Sequence, residues 1–533
     1  MPIREPYKKR REFLAQQNHF ADFGAPPPGL RPLPKPRTAR EYAFCILDEH
    51  KQTGAFVSDL MDDHIDRSSA GFLKQPPLAK LLGKKPKPQH DNKLFGPAAL
   101  NRLDRSFVME LASGVARRQA TLDAILMQYV SKSRAQIEPR LWLVMQLGVY
   151  QLVMMSSVPV HAAVFETVEL GRFAQQPAWC GILNGVLRTI ARDLEAHQFV
   201  DDQLSEDAVP IQPHRRHGEV GERDVVYRHL GKPLFHNPMT DRRLYIAEAF
   251  ALPMWLLDRW SQRYDDDTLL SMAEWFSVRH PHSLRVNSMK TTCDDLKIRF
   301  SDAFLSVTPA CFGQGLRPDS IWYDGPLRIV DLPGFQEGDC SVQDETAMAA
   351  SELLAPQPGE HVLDLCAAPG TKTGHLAELM KNEGHIVAAD VDHERLQRIA
   401  DNAERLGITI IEPITIPHDA TELPIGPFDA ALVDAPCSNT GVLGKRPEVR
   451  TRLKPSDLRE LPTIQLRLAK LAANALKPGG RMVYSTCSIE PEENSGVVQQ
   501  LLAEMPEMHL VSSQDFVPGQ PADGGFQALL HKS

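Results

Sequence analysis

The chain has 533 residues, with 59 Lys plus Arg against 68 Asp plus Glu and a formal charge of −9. At 42% hydrophobic and 24% charged it has the composition of a soluble globular protein, which excludes collagen-like, coiled-coil and disordered classes. Length alone suggests three or four domains.

The charge is uneven. Residues 1–118 hold 21 Lys plus Arg and 13 Asp plus Glu, a net +8 that leaves −17 for the remainder. Basic clusters lie at Lys8-Lys9-Arg10-Arg11, between 31 and 40, and at Lys84-Lys85-Pro86-Lys87. Local basic stripes attract phosphate more than net charge does, although such runs are also common as solvated loops. No apolar segment follows the first cluster, so no secretory signal is expected. A cytoplasmic location with reduced thiols follows.

In chain order, residues 1–37 read as an irregular extension, because Pro26-Pro27-Pro28, Pro32, Pro34 and Pro36 disfavour helix. Residues 38–195 turn helical. Segments 105–116 and 122–130 carry apolar residues at three and four spacing. Segment 141–155 is apolar nearly all round, as a central bundle helix would be. With Gln146, Gly148 and Gln151 inside it, that segment is too short and polar to span a bilayer. The lysine-containing stretch 76–88 reads as an interhelical loop, and 196–243 as a polar linker or irregular insertion. Residues 244–354 form an α/β connecting segment. From 355 to 533, strands at 361–365, 385–389, 428–433 and 481–485 alternate with helices from about 373, at 393–406 and at 461–475. Lys477-Pro478-Gly479-Gly480 reads as a turn. Such alternation predicts a doubly wound, mostly parallel sheet whose ligands bind at the carboxyl ends of the strands.

Cys366-Ala367-Ala368-Pro369-Gly370-Thr371-Lys372 follows the first of these strands directly. Its small residues let backbone approach a ligand closely. It lacks the glycines of a dinucleotide or Walker A loop. Asp390 ends the second strand, where a carboxylate can accept both ribose hydroxyls; equally, it could cap the helix that starts near His393. Asp419 follows the third strand, where it could face an adenine amino group. These features suit a nucleoside cofactor without a phosphate cradle, such as S-adenosylmethionine.

Eight cysteines, at 45, 180, 293, 311, 340, 366, 437 and 487, show no C-x-x-C spacing, so no metal site is expected. The commonest fate of a free cysteine is that of a small buried hydrophobe. That reading is weaker for Cys437, in Asp434-Ala435-Pro436-Cys437, and for Cys487, in Tyr484-Ser485-Thr486-Cys487, because both follow strands that face the expected pocket. A thiol has a use in methyl transfer to cytosine. C5 is a poor nucleophile, and a thiolate added at C6 makes it enamine-like.

LDLCAAPGTKTGHL (363–376), AADVDHERL (388–396), VDAPCSNTGVLGKRPEVR (433–450) and YSTCSIEPEEN (484–494) resemble the RNA cytosine-5 methyltransferase superfamily that includes the Nop2/Sun proteins. NRLDRSFVMELASGVARR (101–118), LWLVMQLGVYQLVMM (141–155) and ILNGVLRTIAR (182–192) resemble the RNA-binding helical domain of NusB. The arrangement is similar to that of bacterial enzymes acting on small-subunit (16S) ribosomal RNA. The resemblance implies an all-α NusB-like bundle, a small α/β segment and a doubly wound methyltransferase domain. It implies Cys487 as nucleophile and Cys437 as the thiol that assists product release. Residues 366–372, Asp390, Asp419 and Asp434 would bind S-adenosylmethionine, and Lys445 and Arg446 would meet phosphate. Thr371 stands where the family usually has a second glycine, a position at which a β-branched residue would resist positive φ. The partner expected is ribosomal RNA, with no membrane and no need of an oligomer.

Overall fold

The computed structural model describes residues 32–53, 57–61, 100–197, 200–212, 225–312, 315–325, 327–423, 425–519 and 522–533. Most of the N-terminal extension, the Lys84-Lys85-Pro86-Lys87 cluster and part of the 196–243 region lie outside them. The described chain divides into two compact units. One holds residues up to Val278 with Arg450–Arg452, and the other holds Arg279–Val449 and Leu453–Ser533.

The first unit is a helical bundle: α1 Ala39–Thr53, α2 Val57–Met61, α3 Arg102–Arg117, α4 Gln119–Tyr129, α5 Pro139–Val153, α6 Val160–Phe173 and α7 Trp179–Ala196. Helix α5 starts with Pro139 at its first turn, where no intrahelical N–H is needed, and Glu138 accepts from the Leu141 N–H at 2.8 Å. Residues Leu141 to Val153 of this central helix are all buried. Its two buried amides are satisfied: Gln146 donates to Asp123 at 2.6 Å, and Gln151 to the Leu147 carbonyl at 2.9 Å. No helix among the described residues is long and apolar enough to cross a membrane.

Residues 196–243, expected as a linker, differ. They contribute β1 Val200–Asp201, β2 Ala208–Ile211 and β3 Val226–His229, an antiparallel sheet in the order β1-β3-β2. The buried His229 fastens it, lying 3.0 Å from Asp201 and 3.2 Å from Asp207. Helices α8 Arg242–Ala249, α9 Met254–Trp260 and α10 Asp266–Trp275 follow. The boundary between the two units falls at 278/279, inside the segment expected over 244–354. Arg118 and Thr121 of the bundle donate to the Ala249 carbonyl, and Tyr245 donates to the Ala208 carbonyl at 3.0 Å.

The second unit begins with β4 His282–Val286, α11 Cys293–Asp302, β5 Val307–Phe312, β6 Gly315–Tyr323 and β7 Cys340–Val342. These strands form a sheet in the order β5-β6-β4-β7, covered by Leu296 and Phe300 of α11. Next come α12 Glu345–Leu354, β8 His361–Leu365, α13 Thr371–Leu379, β9 His385–Asp390, α14 His393–Leu406, β10 Ile411–Thr415, β11 Phe428–Asp434, α15 Asp457–Asn474, β12 Leu476–Thr486, α16 Ser495–Glu504, β13 Met508–Phe516 and β14 Gly525–Lys532. The seven-stranded sheet runs β10-β9-β8-β11-β12-β14-β13. The first five strands are parallel, and β14 is antiparallel to both β12 and β13. Its inner strands β8, β9 and β11 are buried on both faces, as expected of a sheet with helices on both sides. Leu363, Leu365 and Val433 pack with α15 and α16 on one face; Val362, Leu432 and Val483 pack with α12 and α13 on the other. Lys477-Pro478-Gly479-Gly480 is an excursion within β12 rather than a turn before it. Phe428 pairs with Leu476 and Ala430 with Arg481, and Gly479 takes φ +80°.

Candidate active site

The strand order brings the ends of β8, β9, β11 and β12 to one edge. The Cys366 loop leaves β8 with φ +66° at Cys366 and +96° at Gly370. A Cβ at Gly370 would lie 2.9 Å from the Ile399 side chain, so glycine is required there twice over. Thr371 is the first residue of α13 and needs no positive φ, so its replacement of the expected glycine is harmless.

The loop lines a cleft of about 230 Å³ with Gln343, Asp344, Asp364, Lys372 and Asp434. Lys372 donates to Asp434 at 2.7 Å. Burial alone would lower the lysine pKa, but the Asp434 charge and this hydrogen bond outweigh it and raise it. Asp364 is 1% exposed. Thr373 donates to its Oδ2 at 2.6 Å, while Oδ1 is buried without a partner. Burial pushes this carboxyl up to about 7. Nothing marked Asp364 in the sequence, where it sits inside an apolar strand pattern.

Asp390 stands at the end of β9 as expected. Its Oδ2 accepts from the Ala368 N–H at 3.1 Å and its Oδ1 from the Asp392 N–H at 3.0 Å. The helix cap is Asp392, which accepts from the Glu394 and Arg395 N–H groups. Asp390 therefore braces the Cys366 loop and leaves the capping to its neighbour. Asp419 is exposed and is not among the residues lining the cleft. The Cys366 thiol is pushed up by burial, which makes it a lining group and not a nucleophile.

The two cysteines singled out by sequence meet. Cys437 Sγ and Cys487 Sγ lie 3.2 Å apart, both half-buried. The Cys487 thiol donates to Asn439 Oδ1 at 3.1 Å, and Asn439 Nδ2 donates to the Cys437 carbonyl at 2.8 Å. Asn439, missed in the sequence, holds this position with φ +60°. The hydrogen bond to Cys487, then burial and the nearby charges of Cys487 and Glu493, raise the Cys437 pKa well above the ordinary thiol value. Cys437 is accordingly a protonated thiol at neutral pH. Cys45, Cys180, Cys293 and Cys340 are free and stand in other elements. The Cys311 side chain lies outside the described residues.

Lys445, expected to meet phosphate, is exposed and ion-paired, 2.7 Å from both Asp344 and Asp523. Asp319, Glu352 and His375 bring possible metal-ligand atoms within 4.8 Å of one another, but both carboxylates are already ion-paired to Arg317.

A nucleoside sulfonium fits what is present. The cleft has one orphaned carboxylate oxygen, a second carboxylate at Asp434, a loop of small residues and no phosphate cradle. Carboxyl groups without a phosphate-binding loop suit a cationic nucleoside better than a nucleotide.

Comparison with known proteins agrees. Residues 351–529 match the family described as 16S rRNA methyltransferase RsmB/F, residues 37–192 match the NusB family, and residues 252–320 match the ferredoxin-like domain of RsmF/B-like methyltransferases. Over 473 residues the chain is 32% identical to the probable ribosomal RNA small subunit methyltransferase B of Synechocystis sp., covering 88% of this chain and 89% of that one. Identity to ribosomal RNA small subunit methyltransferase B of Salmonella paratyphi B is 31% over 442 residues, 80% of this chain and 91% of the relative. The crystal structure of PH0851 is similar in fold, with a TM-score of 0.65 over 93% of this chain and 99% of that chain at 24% identity.

Proposed function

We infer the reaction from one premise: the chain belongs to the RsmB/F family of 16S rRNA methyltransferases, with a NusB-like N-terminal domain. The family's general activity is methylation of RNA at cytosine C5. For this chain we propose methylation of a cytosine in small-subunit (16S) ribosomal RNA through a covalent adduct between Cys487 and C6. The observation that carries this reading is the pair of thiols 3.2 Å apart at the ends of adjacent strands, beside the Lys372–Asp434 ion pair.

Residues 366–372 with Asp390, Asp419 and Asp434 would hold S-adenosylmethionine, which supplies an electrophilic methyl group when bound. Cys487 adds its sulfur to C6 as thiolate, and the displaced electron pair makes C5 nucleophilic. Asp434 would accept from the exocyclic amine of the base. After methylation the C5 proton passes to solvent water, the electron pair of that C–H bond restores the C5–C6 double bond, and the C6–S bond breaks with its electrons on the Cys487 sulfur. Cys437, kept protonated, supplies the proton that the departing sulfur needs. The target base must leave its stack to reach the thiols. The proposal places the enzyme in the cytoplasm, working as a monomer.

Cys487→Ala is expected to abolish methyl transfer to unmodified 16S RNA. Cys437→Ala is expected to accumulate a protein–RNA adduct that survives denaturing gel electrophoresis. Full activity in Cys487→Ala would overturn the nucleophile assignment. Bisulfite sequencing of total RNA from a deletion strain identifies the substrate: loss of a methylated cytosine in transfer RNA instead of 16S RNA would refute the ribosomal reading.

A further inference from the structure

Between the two cysteine loops lies a carboxyl group with no part in the reaction proposed above. Glu493 sits in the turn between β12 and α16 and is 0% exposed. An ionised carboxylate in such a place is costly unless hydrogen bonds compensate it. Here three donors converge on it. The Ser438 N–H reaches Oε2 at 2.8 Å, Gln465 Nε2 reaches the same oxygen at 2.9 Å, and Ser488 Oγ reaches Oε1 at 2.8 Å.

The identity of these donors is the point. Ser438 follows Cys437, and Ser488 follows Cys487. One side chain thus grips the residue immediately after each sulfur, on loops that lie 50 positions apart in sequence. The grip is extended on both sides. Gln465 Nε2 also donates to the carbonyl of Pro436, the residue before Cys437, at 2.9 Å. Asn494 accepts from Thr486, the residue before Cys487, at 2.6 Å and donates to the Ser488 carbonyl at 2.9 Å. Glu493 itself is fixed by Tyr484, whose hydroxyl donates to its carbonyl at 2.6 Å.

We propose that Glu493 is a positioning residue that sets the distance between Cys437 and Cys487 by clamping both cysteine loops to one carboxylate. It touches no reacting atom. The inference deepens the reaction proposed above and rests on that reading for its consequence, since adduct release uses both thiols. Its geometric content does not depend on the reaction. Three donors need acceptors on both oxygens, so alanine removes the clamp. Glutamine keeps one oxygen for Ser438 and Gln465 and turns an amide toward Ser488, which leaves the clamp half-made.

The test reads sulfur proximity directly. Diamide oxidises two adjacent thiols to a disulfide: each sulfur loses a proton and one electron, and the N=N bond of diamide takes up both pairs to become a hydrazine. The full-length protein is treated with diamide and the Cys437–Cys487 crosslink is quantified by peptide mapping, with Cys437→Ala as the blank. Disulfide closure tolerates little displacement, so Glu493→Ala is expected to slow crosslinking by about tenfold or more, and Glu493→Gln by about threefold. Both variants are expected to bind S-adenosylmethionine within about twofold of wild type, because much of the cleft is lined by the Cys366 loop, to which Glu493 makes no hydrogen bond, and to lose methyl transfer by about a hundredfold and tenfold respectively. Crosslinking of Glu493→Ala at the wild-type rate overturns the proposal, as does a wild type that forms no crosslink. If Glu493→Ala does not fold, Glu493→Gln decides: unchanged crosslinking overturns the clamp. A failed nucleophile assignment would show in the Cys487→Ala assay and leave the crosslinking result standing.

Discussion

Asp364 is a carboxyl that burial holds up to about 7 although Thr373 donates to it at 2.6 Å. Its second oxygen has no partner and it lines the cleft. A cation entering the cleft favours the ionised form, so binding lowers the pKa and releases a proton below about 7. Affinity for S-adenosylmethionine is therefore expected to rise with pH up to about 7 and then level off. Calorimetry in buffers of different ionisation enthalpy measures the released proton, and Asp364→Asn should abolish both the release and the slope. The same shift acts on folding. A carboxyl raised from 3.8 to about 7 binds a proton in the native state that the unfolded chain has lost, so its contribution to stability is present below 3.8 and falls as pH rises to about 7. A denaturation series from pH 4 to 7 that shows no difference in slope between wild type and Asp364→Asn would contradict this. Residues of this kind were hidden in the sequence. Cys437, Cys487 and Asp390 announce themselves by following strands, whereas Asp364 lies inside one, and Asn439 and Glu493 acquire their roles only when distant loops close on each other.

At the level of elements, the turn after Cys437 is packed backbone against backbone. A Cβ at Gly441 would lie 2.3 Å from the Gly524 carbonyl oxygen and 2.8 Å from that of Cys487. Main chain on both sides cannot rotate away as a side chain could. Gly441→Ala is expected to cost about 1–3 kcal/mol in chemical denaturation and to displace the Cys487 loop, lowering turnover with it. Wild-type stability in that variant would show that the loops have slack. The parallel strands were legible because buried strands are short apolar runs bounded by turn residues. The sheet β1-β3-β2 was not. Its first strand has two residues, and β2 contains Pro210, which a strand tolerates only at a sheet edge, where topology puts it. A polar, proline-containing stretch gives no periodic signal from which to infer such pairing.

For the whole molecule, net charge is a poor guide to partners. The excess of +8 is confined to residues 1–118, and acids of the second unit are committed elsewhere: Asp434 to Lys372, Asp344 and Asp523 to Lys445. If the Lys84-Lys85-Pro86-Lys87 cluster contacts phosphate, replacing its three lysines by glutamine lowers RNA affinity and flattens the dependence of log affinity on log salt by roughly 2–3 units, since each contact contributes about 0.7–0.9. An unchanged slope would remove that cluster from the RNA interface. The helical bundle and the methyltransferase fold were legible through their motif runs, while the hydrogen bonds from Arg118 and Thr121 of the bundle to the Ala249 carbonyl of α8 follow from no local pattern.

The sheet order has a consequence for synthesis. Strand β14, made last of the seven, inserts between β12 and β13. A ribosome releases the chain from its N-terminal end, so β12 waits with an unpaired edge, its bonds to residues 526–531 unmade, until that final strand emerges. An open edge of an apolar strand is a template for association with other chains. The strand that leads into Cys487 thus passes through a stage with an open edge, and stalled or shortened translation products should depend on holdase chaperones more than the finished chain does.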